Sequence, residues 1–268
     1  MARSRILVTA AAAVLALTGS TAAFAAKCSS TGGNFESWKA DFAAENGLKG
    51  SALSAFMGTS YATKTINADR NQKSFKLSFD QFMAKRGGQS IISKGKGIKN
   101  ANAALFASIE KRYGVPAGPL IAIWGMETGF GSYMGNQNTL SAVATLAYDC
   151  RRTEYFTEQL QAALKLVQNG TISGSSIGAM HGEIGQTQFL PSSYIKYGVD
   201  FDGNGHVDLR HSVPDVLAST ANLLKTNGWR AGGDYHEGSA NFDVMREWNR
   251  AVIYRKTIAY FADRLVGQ

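Results

Sequence analysis

Apolar residues recur every three to four positions over most of this chain, the spacing of helices that bury one face. Phe35, Trp38 and Phe42 form the first stripe, entered at Asn34, and a second helix is expected from the candidate cap Ser51. The stretch Ala62–Phe79 alternates polar and apolar residues and is compatible with extended backbone; a helix is expected over Asp80–Arg86. Asn102–Tyr113 reads as a helix stopped by Gly114 and Pro116. Pro119–Glu127 is apolar on every side, which predicts a buried helix, with Pro119 in its first turn and Gly129 and Gly131 ending it. Helical spacing returns over Thr139–Tyr148, Thr153–Gln168, Pro214–Thr226 and Ala251–Val266, whereas strand signals are short, as around Val207–Leu209. The fold class is mainly α (α+β), with a small extended subregion.

The first residues do not belong to that core. Arg3 and Arg5 precede an apolar run, Ile6 to Leu17, and Ala23-Phe24-Ala25 follows, the layout of an export signal over 1–25. The run is shorter than the roughly 20 residues a membrane span needs, so the mature chain is expected to keep no transmembrane segment. Residues 26–268 then suffice for one large domain or two closely packed lobes. The whole chain carries 28 Lys and Arg against 20 Asp and Glu. Such a balance favours an anionic partner, and export to the periplasm excludes nucleic acid from the candidates. Cys28 and Cys150 are the cysteines of the chain. In an oxidising compartment they read as one disulfide closing about 120 residues, stabilising by about 4 kcal/mol through chain entropy, or else as two buried thiols.

Three constellations carry candidate chemistry. Glu127 ends the apolar helix among Trp124, Met126 and Phe130, where burial raises a carboxyl pKa and fits it for general acid work; a Glu that simply faces water or an arginine is the plain alternative. Gly182 to Tyr194 interleaves amides, hydroxyls and rings, among them Gln186, Gln188, Phe189, Ser192 and Tyr194, as carbohydrate grooves do, although Pro191 and the serines also suit a helix start. Asp200-Phe201-Asp202-Gly203-Asn204-Gly205-His206 opens like a calcium loop, with oxygen ligands at positions 1, 3 and 5 and the His206 carbonyl at 7. Its twelfth position is His211 in place of an acid, which leaves an Asx/Gly turn as the other reading. His181, His206, His211 and His236 have no metal-ligand spacing and stand near no nucleophile motif.

Taken in order, WGMETGFGSYMGN, ATLAYDCRRTEYF, GQTQFLPSSY, VDFDGNG and EWNRAVIYRKTIAYFADRL resemble the membrane-bound lytic transglycosylase B type, glycoside hydrolase family 103, from about Trp38 to the C-terminus. The resemblance implies a lysozyme-like core that cleaves the MurNAc–GlcNAc bond of peptidoglycan glycan strands, with Glu127 as sole catalytic acid and then base. It implies a 1,6-anhydro product and needs no catalytic cofactor. It places Arg151, Arg152, Tyr155, Gln188 and Phe189 along the groove, with Trp248 and Asn249 at the late Tyr-Asn position, and it implies a structural calcium whose last ligand is Asp215. Ser212-x-x-Asp215 also reads as a capping box. The chain departs from the family at Glu183, where a small residue is usual, and at Ala179, Trp248 and Leu223. Glu183 raises the alternative of a hydrolytic muramidase with two carboxylates. A groove that binds peptidoglycan without cleaving it is the reading from another class.

Overall fold

A computed structural model describes residues 28–29, 31–71 and 77–267. The expected export signal lies outside them. Helices α1 (Phe35–Glu45), α2 (Gly50–Met57), α3 (Thr63–Arg70), α8 (Thr139–Tyr148) and α9 (Thr153–Gln168) pack around one core, into which Phe35, Trp38, Phe42, Phe56 and Tyr148 point their rings. A second core forms around α7 (Ala117–Thr128), against which α13 (Val252–Val266), α5 (Gly88–Ala101), α6 (Ala103–Tyr113) and α11 (Val213–Thr226) close. The remaining helices are α4 (Phe79–Lys85), α10 (Pro191–Tyr197) and α12 (Ala240–Val244).

Helix α7 shows why its sequence reads as it does. Every residue in it except Glu127 is buried, so only apolar or small side chains fit along its length. Gly129 ends it in the left-handed region, φ 58°, and its N–H bonds the Gly125 carbonyl, a turn that glycine makes without Cβ strain. Among the described residues only Phe130 (φ 65°) and Gln188 (φ 58°) adopt positive φ without being glycine. Both flank the region described below, which is where backbone strain tends to be kept.

Three sequence expectations are corrected. Thr63–Arg70 is helical and not extended, because Thr65, Ile66 and Asp69 share one face and bury it, a helical set hidden inside an alternating pattern. Residues 72–76 of the same stretch lie outside the described part. The second helix begins at Gly50, so Ser51 lies inside it and caps nothing. No strand forms at Val207–Leu209: the Leu209 N–H donates to the Tyr194 hydroxyl and its carbonyl accepts from Gln186, so no backbone groups remain for a ladder. The extended subregion is instead a two-residue antiparallel pair, β1 (Gln137–Asn138) with β2 (Ile177–Gly178), in the register Gln137 to Gly178. Cys28 and Cys150 are joined in a disulfide, Cα atoms 5.1 Å apart. Among the described residues no helix is long and apolar enough to cross a membrane.

Candidate active site

Glu127 stands at the C-terminal turn of α7 and opens on a cavity of about 500 Å³. The Tyr254 hydroxyl, from α13, donates to Glu127 Oε1 at 2.5 Å, and Trp248 Nε1 donates to the same oxygen at 3.0 Å. With both donors on Oε1, Oε2 is the atom left to hold and hand over a proton. Burial pushes the Glu127 carboxyl above the usual carboxylate range, against the Tyr254 and Trp248 bonds and the charge of Arg86. Arg86 lies over the Tyr254 ring, 5.7 Å from its centroid, and donates to the Met126 carbonyl. Burial thus favours the protonated carboxyl while the two hydrogen bonds fix its orientation, the combination a general acid requires.

Arg152, Tyr155, Gln188, Phe189 and Leu223 share the lining of this cavity with Glu127 and Trp248. Behind the arginine stands Asp69 of α3, whose side chain is 1% exposed. Arg151 gives Asp69 its Nε (2.6 Å to Oδ2) and Nη2, and Arg152 gives Nη2 to Oδ1. Burial alone would raise the Asp69 carboxyl, but the Arg151 bond and the two guanidinium charges bring it below the ordinary range. His181 Nε2 lies 3.7 Å from Asp69 Oδ1, and its Nδ1 is 3.2 Å from Glu183 Oε1. Glu183 Oε2 accepts the His181 N–H at 2.9 Å. Burial acts to raise the Glu183 carboxyl and is outweighed by these His181 contacts, which hold its pKa below the usual carboxylate value.

The acidic loop gathers separately. Asp200, Asp202 and Asp215 each bring a carboxylate oxygen within 4.8 Å of the others. Asp215 is fully buried and takes the N–H groups of Phe201 and Asp208, at 2.8 and 2.9 Å. Asn204 Oδ1 accepts the His206 N–H. Ser212 Oγ does accept the Asp215 N–H, yet the Asp215 carboxylate turns into the loop instead of back to Ser212, so the capping box is only half made.

A family described as the transglycosylase SLT domain matches residues 34–239. The chain belongs to this family. Membrane-bound lytic murein transglycosylase B of Escherichia coli K12 is 41% identical over 126 residues, which is 45% of this chain and 34% of that protein. The match thus spans about a third of that relative's length. The structure of SltB3 from Pseudomonas aeruginosa with NAG-anhNAM-pentapeptide superposes with TM-score 0.79 at 30% identity, covering 87% of this chain and 80% of that one. The E. coli lytic transglycosylase Slt35, solved in complex with calcium, shares the fold with TM-score 0.75 at 21% identity, covering 88% and 93%.

For a transglycosylase SLT domain, the sequence-predicted residues divide sharply by place. Glu127, Arg152, Tyr155, Gln188, Phe189 and Trp248 meet at the cavity. The other expected substrate contacts are engaged by the protein's own groups. Gln186 Oε1 accepts from Trp124 Nε1 and its Nε2 donates to the Arg210 carbonyl, so it anchors the end of α7. Ser192 is bonded through backbone and hydroxyl to Gln159, and the Tyr194 hydroxyl joins Val207 to Leu209. Asn249 caps the turn to Ala251, and Arg151 is taken up by Asp69. Gln186 and Tyr194 thus satisfy backbone groups, while Ser192 and Arg151 are held by the side chains of Gln159 and Asp69. Tyr254 and Asp69 are not among the sequence-predicted residues. Tyr254 lies beyond the family match yet inside the late EWNRAVIYRK motif, which was the available signal; for Asp69 there was none.

Proposed function

We propose that the protein is a lytic transglycosylase that cleaves the β-1,4 MurNAc–GlcNAc bond of peptidoglycan without consuming water. The reading rests above all on Glu127, a raised-pKa carboxyl whose Oε1 is fixed by Tyr254 and Trp248 and which lines a cavity of about 500 Å³. Glu127 donates its Oε2 proton to the glycosidic oxygen as the C1–O4 bond breaks, and the GlcNAc portion leaves with a free 4-hydroxyl. The substrate's N-acetyl group stabilises the cationic centre at C1. The Glu127 carboxylate then takes the proton of the MurNAc C6 hydroxyl as that oxygen bonds to C1, closing the 1,6-anhydro ring. Proton and bond accounts balance with Glu127 restored. Glu183 fits a structural part better than that of a second catalytic carboxylate, because His181 occupies both of its oxygens.

Digestion of sacculi tests this directly: wild type should release fragments one water lighter than hydrolysis products, and Glu127→Gln should release none. Fragments with reducing MurNAc ends would establish the muramidase instead. The acidic loop suits a structural calcium held by Asp200, Asp202 and Asp215 with Asn204 and the His206 carbonyl, since no Lys or Arg pairs with the three carboxylates among the described residues. Calcium should raise the melting temperature of wild type and not of Asp200→Ala, and equal curves with calcium and with chelator would remove the assignment. The protein acts as a single catalytic domain, residues 26–268, released into the periplasm by cleavage after Ala25. The N-terminal sequence of the mature chain checks that.

A further inference from the structure

The two neighbouring arginines are bonded to the same buried carboxylate in unequal ways. Arg151 is the more heavily bonded: its Nε and Nη2 both meet Asp69 Oδ2, and Nη2 also meets the Asp69 carbonyl. Arg152 gives only Nη2, to Oδ1, and its Nε is buried with no partner. The Arg152 guanidinium also lies on the Phe156 ring, 4.8 Å from its centroid, and it is Arg152, not Arg151, that lines the cavity with Glu127. A guanidinium clamped at one corner, stacked on a ring and left with unused donors is a preorganised reader of a planar anion.

We propose that Arg152 alone of the pair reads a carboxylate of the glycan substrate, and that Asp69 is a positioning residue that fixes its aim. This rests on the peptidoglycan reading above. His181, whose Nδ1 meets Glu183, brings its Nε2 to 3.7 Å from the Asp69 oxygen that Arg152 contacts. The carboxylate recognised belongs to the muramyl lactyl group or to the peptide stem attached there.

The sign of one substitution separates positioning from simple charge. Removing the negative charge of Asp69 makes the region more positive, so charge alone predicts tighter binding of an anion. Loss of aim predicts weaker binding. The experiment measures binding by calorimetry in the Glu127→Gln protein, which does not turn over. The probes are a GlcNAc–MurNAc oligomer with free lactyl carboxylates, the same oligomer with peptide stems, and a chito-oligosaccharide that has neither. Arg152→Gln and Asp69→Asn are each expected to weaken a carboxylate-bearing probe about tenfold, the scale of one charge-assisted bond, and to leave the chito-oligosaccharide unchanged. Whichever of the two muramyl probes responds identifies the source of the carboxylate. Tighter binding by Asp69→Asn, equal losses on all three probes, or no loss with Arg152→Gln would overturn the inference alone. A Glu127→Gln protein that binds none of the probes overturns the groove reading and the inference together.

Discussion

Tyr254 shows what single residues contribute that no local motif displays. Its hydroxyl lies 127 positions from Glu127 in the chain and 2.5 Å from it in space, and it is one of the forces that pull the Glu127 pKa down against burial. Tyr254→Phe removes that donor while keeping the ring. The Glu127 carboxyl then rises further, so the acid form persists to higher pH. The alkaline limb of kcat/KM should move up in pH, and kcat should fall by about tenfold to a hundredfold as Oε1 loses its orientation. A limb that stays in place, or moves down, would show that Tyr254 does not act on the proton. Gln186 carries the opposite lesson: an amide in a groove-like motif is spent on Trp124 and on backbone, because a buried carboxamide left unpaired costs more than a sugar contact returns.

Helices α7 and α13 form the element pair that makes the site, one bringing Glu127 and the other Tyr254. Their approach depends on Gly118, where an added Cβ would meet the backbone of Ala262 at 3.1 Å. Gly118→Ala gains up to about 1 kcal/mol in helix propensity but overpacks against main chain that cannot turn aside, at a cost of about 1–3 kcal/mol. The net expectation is a loss of about 1 kcal/mol in denaturant unfolding, with reduced kcat as α13 is displaced from Glu127. A variant as stable and active as wild type would mean that the helices separate freely. Most of the long helices were legible in the chain because their apolar residues recur at helical spacing. The short α3 was not, because eight residues give too few turns for its face to outweigh the apparent alternation of its sequence, and neither was α5, whose glycines and lysines leave only Gly88, Ile91 and Gly95 buried.

At the scale of the molecule, the loop after α11 is tied to α13 by a charge cluster. His236 Nδ1 lies 2.5 Å from Asp234 and Nε2 lies 3.0 Å from Asp263, and the hydrogen bonds to Asp263 and Asp234 raise the His236 pKa above its usual value. A raised folded-state pKa stabilises fully below the unfolded value of about 6.5 and loses that contribution as pH rises through the folded value. His236→Gln should therefore lower the melting temperature at mildly acidic pH, and the gap from wild type should close in the alkaline range. A gap that widens with pH would reverse the assignment. The disulfide acts at the same scale: it ties Cys28 to the turn that carries Arg151 and Arg152, so the chain's first described residues and that turn are held as one unit.

The sequence by itself determined the helical class, the buried helix that ends in Glu127, the cysteine pair and the acidic loop, because each depends on short-range spacing or on a count of rare residues. Only the tertiary structure decided which polar residues face the cavity and which satisfy the interior. It also paired Asp69 with arginines 82 and 83 positions away and left Arg152 the freer of the two. Those outcomes follow from how the two cores close on one another, and a hydrogen bond between distant segments leaves no period in the sequence.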